Sequence, residues 1–150
     1  MEDEYIKKLR EVIRQFEREL LFQNTESCCS GVSLAQCHTL LELENKEKAS
    51  VTELADSLSL DKSTVSRTVD GLVNIGLVNR NIPSDNRRMA ILSLTPTGTK
   101  TCSDINSLSN EYFSENLSVL SVKEQKELLR LLKKITDNMI RRRKECQCSP

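Results

Sequence analysis

Six cysteines and one histidine carry the most distinctive chemistry of this 150-residue chain, and they are unevenly placed. The stretch "SCCSGVSLAQCH", from Ser27 to His38, gathers Cys28, Cys29, Cys37 and His38. Cys102 stands alone, and Cys146 and Cys148 form a "CQC" close to the last residue. A disulfide between neighbours closes a small strained ring, so Cys28 and Cys29 make a poor structural bridge. Two adjacent thiolates in a polar loop can instead share one soft ion. Cys146 and Cys148 follow the basic run Arg141 to Lys144 and form a second pair of thiols, one residue apart. Cys37 shares a helical face with Leu34 and Leu41, and Cys102 precedes Ile105 by three residues. Taken singly, both fit as small core residues, and His38 fits as a half-buried histidine at the edge of an apolar face.

A second constellation is polar and basic. The segment "SVTELADSLSLDKSTVSRTVDGLVNIGLV" pairs a short helix with a second one across a tight turn. Ala55 is small where the two helices must cross, and Leu54, Leu58 and Leu60 are expected to fill the core beneath the turn. Val65, Val69 and Leu72 fall on one face of the second helix, leaving Ser63, Ser66, Arg67 and Asp70 on the other. Such a face suits the major groove, with Arg67 placed for a bidentate contact to guanine. Lys62, Ser63 and Thr64 lie at the helix N-terminus, where free backbone N–H groups favour a phosphate. An ordinary solvated face explains the same residues equally well. Beyond it, "SDNRRMAILSLT" puts Arg87 and Arg88 at a turn with Asp85 two residues before Arg87. An arginine there can enter a narrow minor groove, braced by the carboxylate.

The surrounding elements must hold these groups in place. Ile6, Leu9, Ile13, Phe16 and Leu20 recur at steps of three and four, which predicts a helix over 4–22 with a seam that needs a partner surface. A polar loop containing Gly31 follows. Ser33 with Gln36, Ser50 with Glu53, and Ser121 with Glu124 have capping-box spacing, and Thr95-Pro96 is a cap followed by proline at the first helical position. Helices are therefore expected from Leu34, Val51, Pro96 and Val122, with another beginning after Asp61, a good cap residue, and ending near Gly76. "LVNRN" and "MAILSL" flank the turn-rich "IPSDNRR" and predict a hairpin. Leu128, Leu132, Ile135 and Met139 line one face of the last helix.

Together these elements predict a mainly α chain with a small β-hairpin wing. Net charge is zero, so total charge does not point to nucleic acid, and any DNA affinity should depend strongly on salt. The start "MEDEYIKKLR" lacks the apolar core of a signal peptide, and no apolar run is long enough for a bilayer. A cytoplasmic protein with no membrane partner is expected, its cysteines free rather than a disulfide frame.

The element order, the helix pair, and Asp85-x-Arg87 followed by Leu94-Thr95 resemble the MarR family of winged helix-turn-helix regulators. "LTPTG" from Leu94 to Gly98 resembles that family's junction into its fifth helix. The resemblance implies one domain over 1–150: a DNA-binding part at about 33–95, and dimerising helices at about 1–30 and 96–150. It further implies a homodimer on a pseudo-palindromic operator, with recognition helices ~34 Å apart on double-stranded DNA. The implied role is a repressor released by an effector. The family's zinc-sensing branch takes ligands from the loop after the first helix, the second helix and the fifth, regions where Cys28, Cys37, His38, Cys102 and Asp104 fall. The fifth-helix histidines of that branch are missing here. More sulfur and less imidazole favour a soft metal or metalloid such as trivalent arsenic, cadmium or mercury as effector. The thiol pairs at Cys28/Cys29 and Cys146/Cys148 are expected to cooperate. Thiol oxidation and a small organic ligand are the alternatives, and no cofactor is needed for the fold.

Other classes fit less well. One histidine, four glycines, no phosphate-cradling loop and no C-x-x-C argue against an enzyme. A purely helical interaction module would leave the basic hairpin and the capped helix pair without a purpose.

Overall fold

The computed structural model describes residues 1–26, 31–85 and 89–147. Cys28, Cys29, Arg87, Arg88 and Cys148 lie outside the described residues. In chain order the elements are α1 (Glu2–Glu26), α2 (Leu34–Lys46), β1 (Lys48–Ala49), α3 (Val51–Leu58), α4 (Lys62–Asn74), β2 (Val78–Asn81), β3 (Ile91–Leu94), α5 (Pro96–Leu117) and α6 (Val122–Gln147). The chain divides into two compact units, Met1–Ser109 and Asn110–Pro150.

In the first unit the local start signals act as expected. Ser33 Oγ accepts from the Gln36 N–H at 3.2 Å while Gln36 Oε1 accepts from the Ser33 N–H at 3.0 Å. Ser50 and Glu53 form the same reciprocal box at 3.1 and 3.2 Å. Each box satisfies two N–H groups that the helix cannot pair internally. α4 ends at Asn74, followed by Gly76 at φ +78°, a left-handed conformation that glycine adopts without a Cβ clash. The sheet has the order β1-β3-β2, antiparallel throughout, with Arg80 opposite Leu92 and Ala49 also opposite Leu92 from the other side. β1 adds a strand beyond the expected hairpin. Two residues are too few to display the alternation by which a strand is recognised.

The core gathers Leu40 and Leu43 of α2, Leu54 of α3, Val65, Val69 and Leu72 of α4, Leu92 of β3 and Ile105 of α5, all fully buried. Leu58 is half-buried, but Leu60 is 44% exposed and does not join the core beneath the turn. Ser59 takes a left-handed cap at φ 57°, and the Leu60 N–H returns to the Ala55 carbonyl at 3.0 Å. That closure leaves the Leu60 side chain exposed. At the junction into α5, the Gly98 N–H donates to Thr95 Oγ1 at 2.9 Å, and the Thr95 hydroxyl donates to the Gly76 carbonyl at 2.7 Å. A Cβ on Gly98 would collide with the Leu77 carbonyl oxygen, so this position requires glycine.

In the second unit, Ser121 and Glu124 complete the third capping box. Gln125 Nε2 donates to the carbonyls of Leu117 and Leu120, closing the turn between α5 and α6. No residue of α6 is buried. Among the described residues, no helix is long and apolar enough to cross a membrane.

Candidate nucleic-acid interface and the cysteines

α3, the Ser59-Leu60 turn and α4 form the helix-turn-helix. Asp61 caps α4: its carboxylate accepts from the Thr64 N–H at 2.9 Å, the Thr64 hydroxyl at 2.6 Å, and the Ser63 hydroxyl. The two hydroxyls, then the Thr64 N–H, hold the Asp61 carboxyl well below the usual carboxylate range. Capping therefore places a negative charge where the sequence suggested an open phosphate seat, and it engages the Ser63 and Thr64 hydroxyls. Lys62 stays exposed beside them.

One face of α4 is buried through Val65, Val69 and Leu72 against α2 and α3. On the other, Ser63, Arg67 and Asp70 are exposed and Ser66 is half-buried. Arg67 makes no ion pair among the described residues. Asp70 is engaged by Nη2 of Arg80, which reaches over from β2. Arg80 carries no local sequence signal, because its partner lies ten residues away and only the strand's return over α4 brings them together. In the wing, Asp85 is exposed and accepts from the Ser84 hydroxyl at 3.3 Å. The bracing of Arg87 by Asp85, and the place of Arg88, lie outside the described residues. Between β1, the start of α3 and the wing there is also an open groove of about 290 Å³, walled by Lys48, Pro83, Met89 and Ile91.

The cysteines separate into two kinds. Cys37 and Cys102 are core residues, 4% and 0% exposed. Burial, then the negative charge of Glu44, pushes the Cys102 thiol up to about 11, so at neutral pH it is a thiol and a poor ligand. Glu44 itself accepts from Asn106 Nδ2 at 3.0 Å, joining α2 to α5. Asp104 faces outward and pairs with Lys100 at 3.0 Å. His38 is exposed, not half-buried, because it follows Cys37 off the packed face of α2. Cys146 is exposed on α6. Among the described residues, no three His, Cys, Asp or Glu side chains are placed to hold one metal ion. Cys28, Cys29 and Cys148 lie outside those residues.

Residues 32–89 match the model of the MarR family. The HTH-type transcriptional regulator BilQ of Clostridium symbiosum is 34% identical over 115 residues, covering 77% of this chain and 80% of BilQ. A cysteine-to-serine mutant of MarR from E. coli, solved with operator DNA, superposes with a TM-score of 0.70 at 25% identity, over 86% of this chain and 91% of MarR. The PcaV regulator of Streptomyces coelicolor, solved with its natural ligand, shares the fold with a TM-score of 0.73 at 18% identity, over 84% of this chain and 89% of PcaV. The capped helix pair, the wing and these likenesses converge: the chain belongs to the MarR family, as a DNA-binding transcriptional regulator and not an enzyme.

Proposed function

We propose that the chain acts as a homodimeric repressor on a pseudo-palindromic operator, and that a soft metal or metalloid ion on cysteine thiolates releases it. The observation that carries the DNA half is α4: one face locked into the core, the other presenting Arg67, which makes no ion pair among the described residues, beside Ser66 and Lys62. Arg67 reads a base edge, Lys62 and Ser66 contact the backbone, and Arg87 and Arg88 extend the contact into the minor groove. Ser63 and Thr64 serve chiefly through Asp61, by fixing where the helix begins. A second copy of the chain covers the exposed stripes of α1 and α6, where Ile6, Leu9, Ile13, Phe16, Leu132, Ile135 and Met139 all face solvent. Apolar faces this long are seldom left to water in a lone molecule.

For the effector, the burial of Cys37 and Cys102 favours a sensor narrower than all six thiols. Cys28 and Cys29 are the adjacent pair suited to a thiophilic ion; Cys146 and Cys148 form a second thiol pair, and His38 is an accessible donor. An ion that stabilises one dimer conformation by a few kcal/mol over the other is enough to empty an operator.

The test is fluorescence anisotropy of the reduced protein on DNA from upstream of its own gene, with and without one equivalent of arsenite, cadmium or zinc per subunit, then peroxide. Release by a soft ion, with a Cys28→Ser/Cys29→Ser variant staying bound, supports the full proposal. Release by neither ions nor peroxide removes the cysteine half and leaves an organic ligand. Failure of the reduced protein to bind that DNA rejects autoregulation at that site.

A further inference from the structure

Asp70 is an anion on the outward face of α4, the face that Arg67 and Ser66 present to DNA. Left alone it would act against binding in two ways. It would repel the phosphates flanking the groove, and it lies three residues after Arg67, close enough on a helix to draw that guanidinium into an ion pair. Instead, Arg80 on β2 engages Asp70 and offsets its charge, and Arg67 makes no ion pair among the described residues.

We propose that Arg80 is a positioning residue for DNA reading: by holding Asp70 it ties the wing strand to the recognition helix and keeps Arg67 free for a base. The inference rests on α4 being the reading helix. Stability does not explain the contact, since a half-exposed ion pair contributes little to folding. Its placement explains it better. The pair joins α4 and β2, the two elements whose relative position determines whether helix and wing can engage one duplex together. A base contact is also most selective when its guanidinium has no competing carboxylate.

The experiment uses the full chain with Arg80→Gln, and with Arg80→Gln combined with Asp70→Asn. In the free protein, NMR of the arginine side chains should show the Arg67 Nε–H slowed in exchange in Arg80→Gln, as Asp70 turns to it, and restored in the double variant. On operator DNA, Arg80→Gln should bind about fivefold to tenfold more weakly and discriminate less at the base facing Arg67. The double variant should recover most of the loss, with the salt dependence unchanged throughout. A double variant as weak as Arg80→Gln, with the salt slope reduced by about one, would make Arg80 a phosphate contact and overturn the proposal. An unchanged Arg67 signal in Arg80→Gln would overturn it too, as would unchanged DNA binding. If the parent protein bound no DNA, the DNA-reading role itself would fail, and the NMR comparison would still decide whether Arg80 holds Asp70 away from Arg67.

Discussion

Between Leu34 and Ile105, eight large apolar side chains from five elements find their partners within the chain and are fully buried. On α1 and α6 the same residue types recur at equally regular spacing and stay open, with Ile135 56% and Met139 65% exposed. Periodicity therefore says that a face will be covered without saying by which molecule. In the winged part the covering surface is the chain itself, because α2, α3, α4 and the sheet meet around one centre. For the two long helices we assign it to a second copy. The cysteines divide along the same line, Cys37 and Cys102 as packing and Cys146 as an accessible thiol.

If the winged part is closed on itself and the long helices are not, substitutions in the two regions should have different consequences. The largest effect should come from Leu72→Ala, which opens a cavity where α4 meets the core and should cost about 3 kcal/mol in urea unfolding. A loss below about 1 kcal/mol would mean the winged part is not closed on itself. Ile135→Asp should act differently: no residue of α6 is fully buried and Ile135 is exposed, so the change should weaken self-association by about a hundredfold in sedimentation while leaving helix content intact. Unchanged association would remove α6 from the dimer interface.

The thiols give a third, smaller effect that depends on pH. Cys102 holds its proton up to about 11 in the folded chain, against 9.0 for an ordinary thiol. Its contribution to stability should be complete below 9.0 and decline as pH rises toward about 11, because the unfolded chain ionises first. Replacing Cys102 by Ala should flatten that alkaline decline. At pH 8, iodoacetamide should label Cys146 and spare Cys102, and equal labelling would contradict the division. Smallest of all, Ser59→Gly should raise stability by about 0.5–1 kcal/mol, since Ser59 is held at φ 57°. A destabilised variant would mean the Ser59 side chain contributes more than its backbone strain removes.

Much of the local architecture is legible in the sequence because its causes lie within a few residues. All three capping boxes form at the expected serines, the Thr95 cap opens α5, and the face made by Val65, Val69 and Leu72 is the buried one. Leu60 escaped because an i+2 neighbour of a helix end can turn either way until the cap conformation is known. β1 escaped because its pairing with β3 joins Lys48 to Ser93, a contact without a local pattern. Arg80 escaped for the same reason, its role existing only once β2 returns over α4.

Local sequence sets where the helices begin, which of their faces are apolar, and that a basic hairpin follows a capped helix pair. Those properties come from 3.6-residue periodicity and from hydroxyl caps three residues before their partners. Long-range packing is what buries Cys37 and Cys102, brings the Leu77 carbonyl against Gly98, and pairs Asp70 with Arg80 rather than Arg67. Each depends on groups distant in sequence meeting at a few ångströms, where desolvation, steric exclusion and charge pairing act, and no local pattern encodes that meeting.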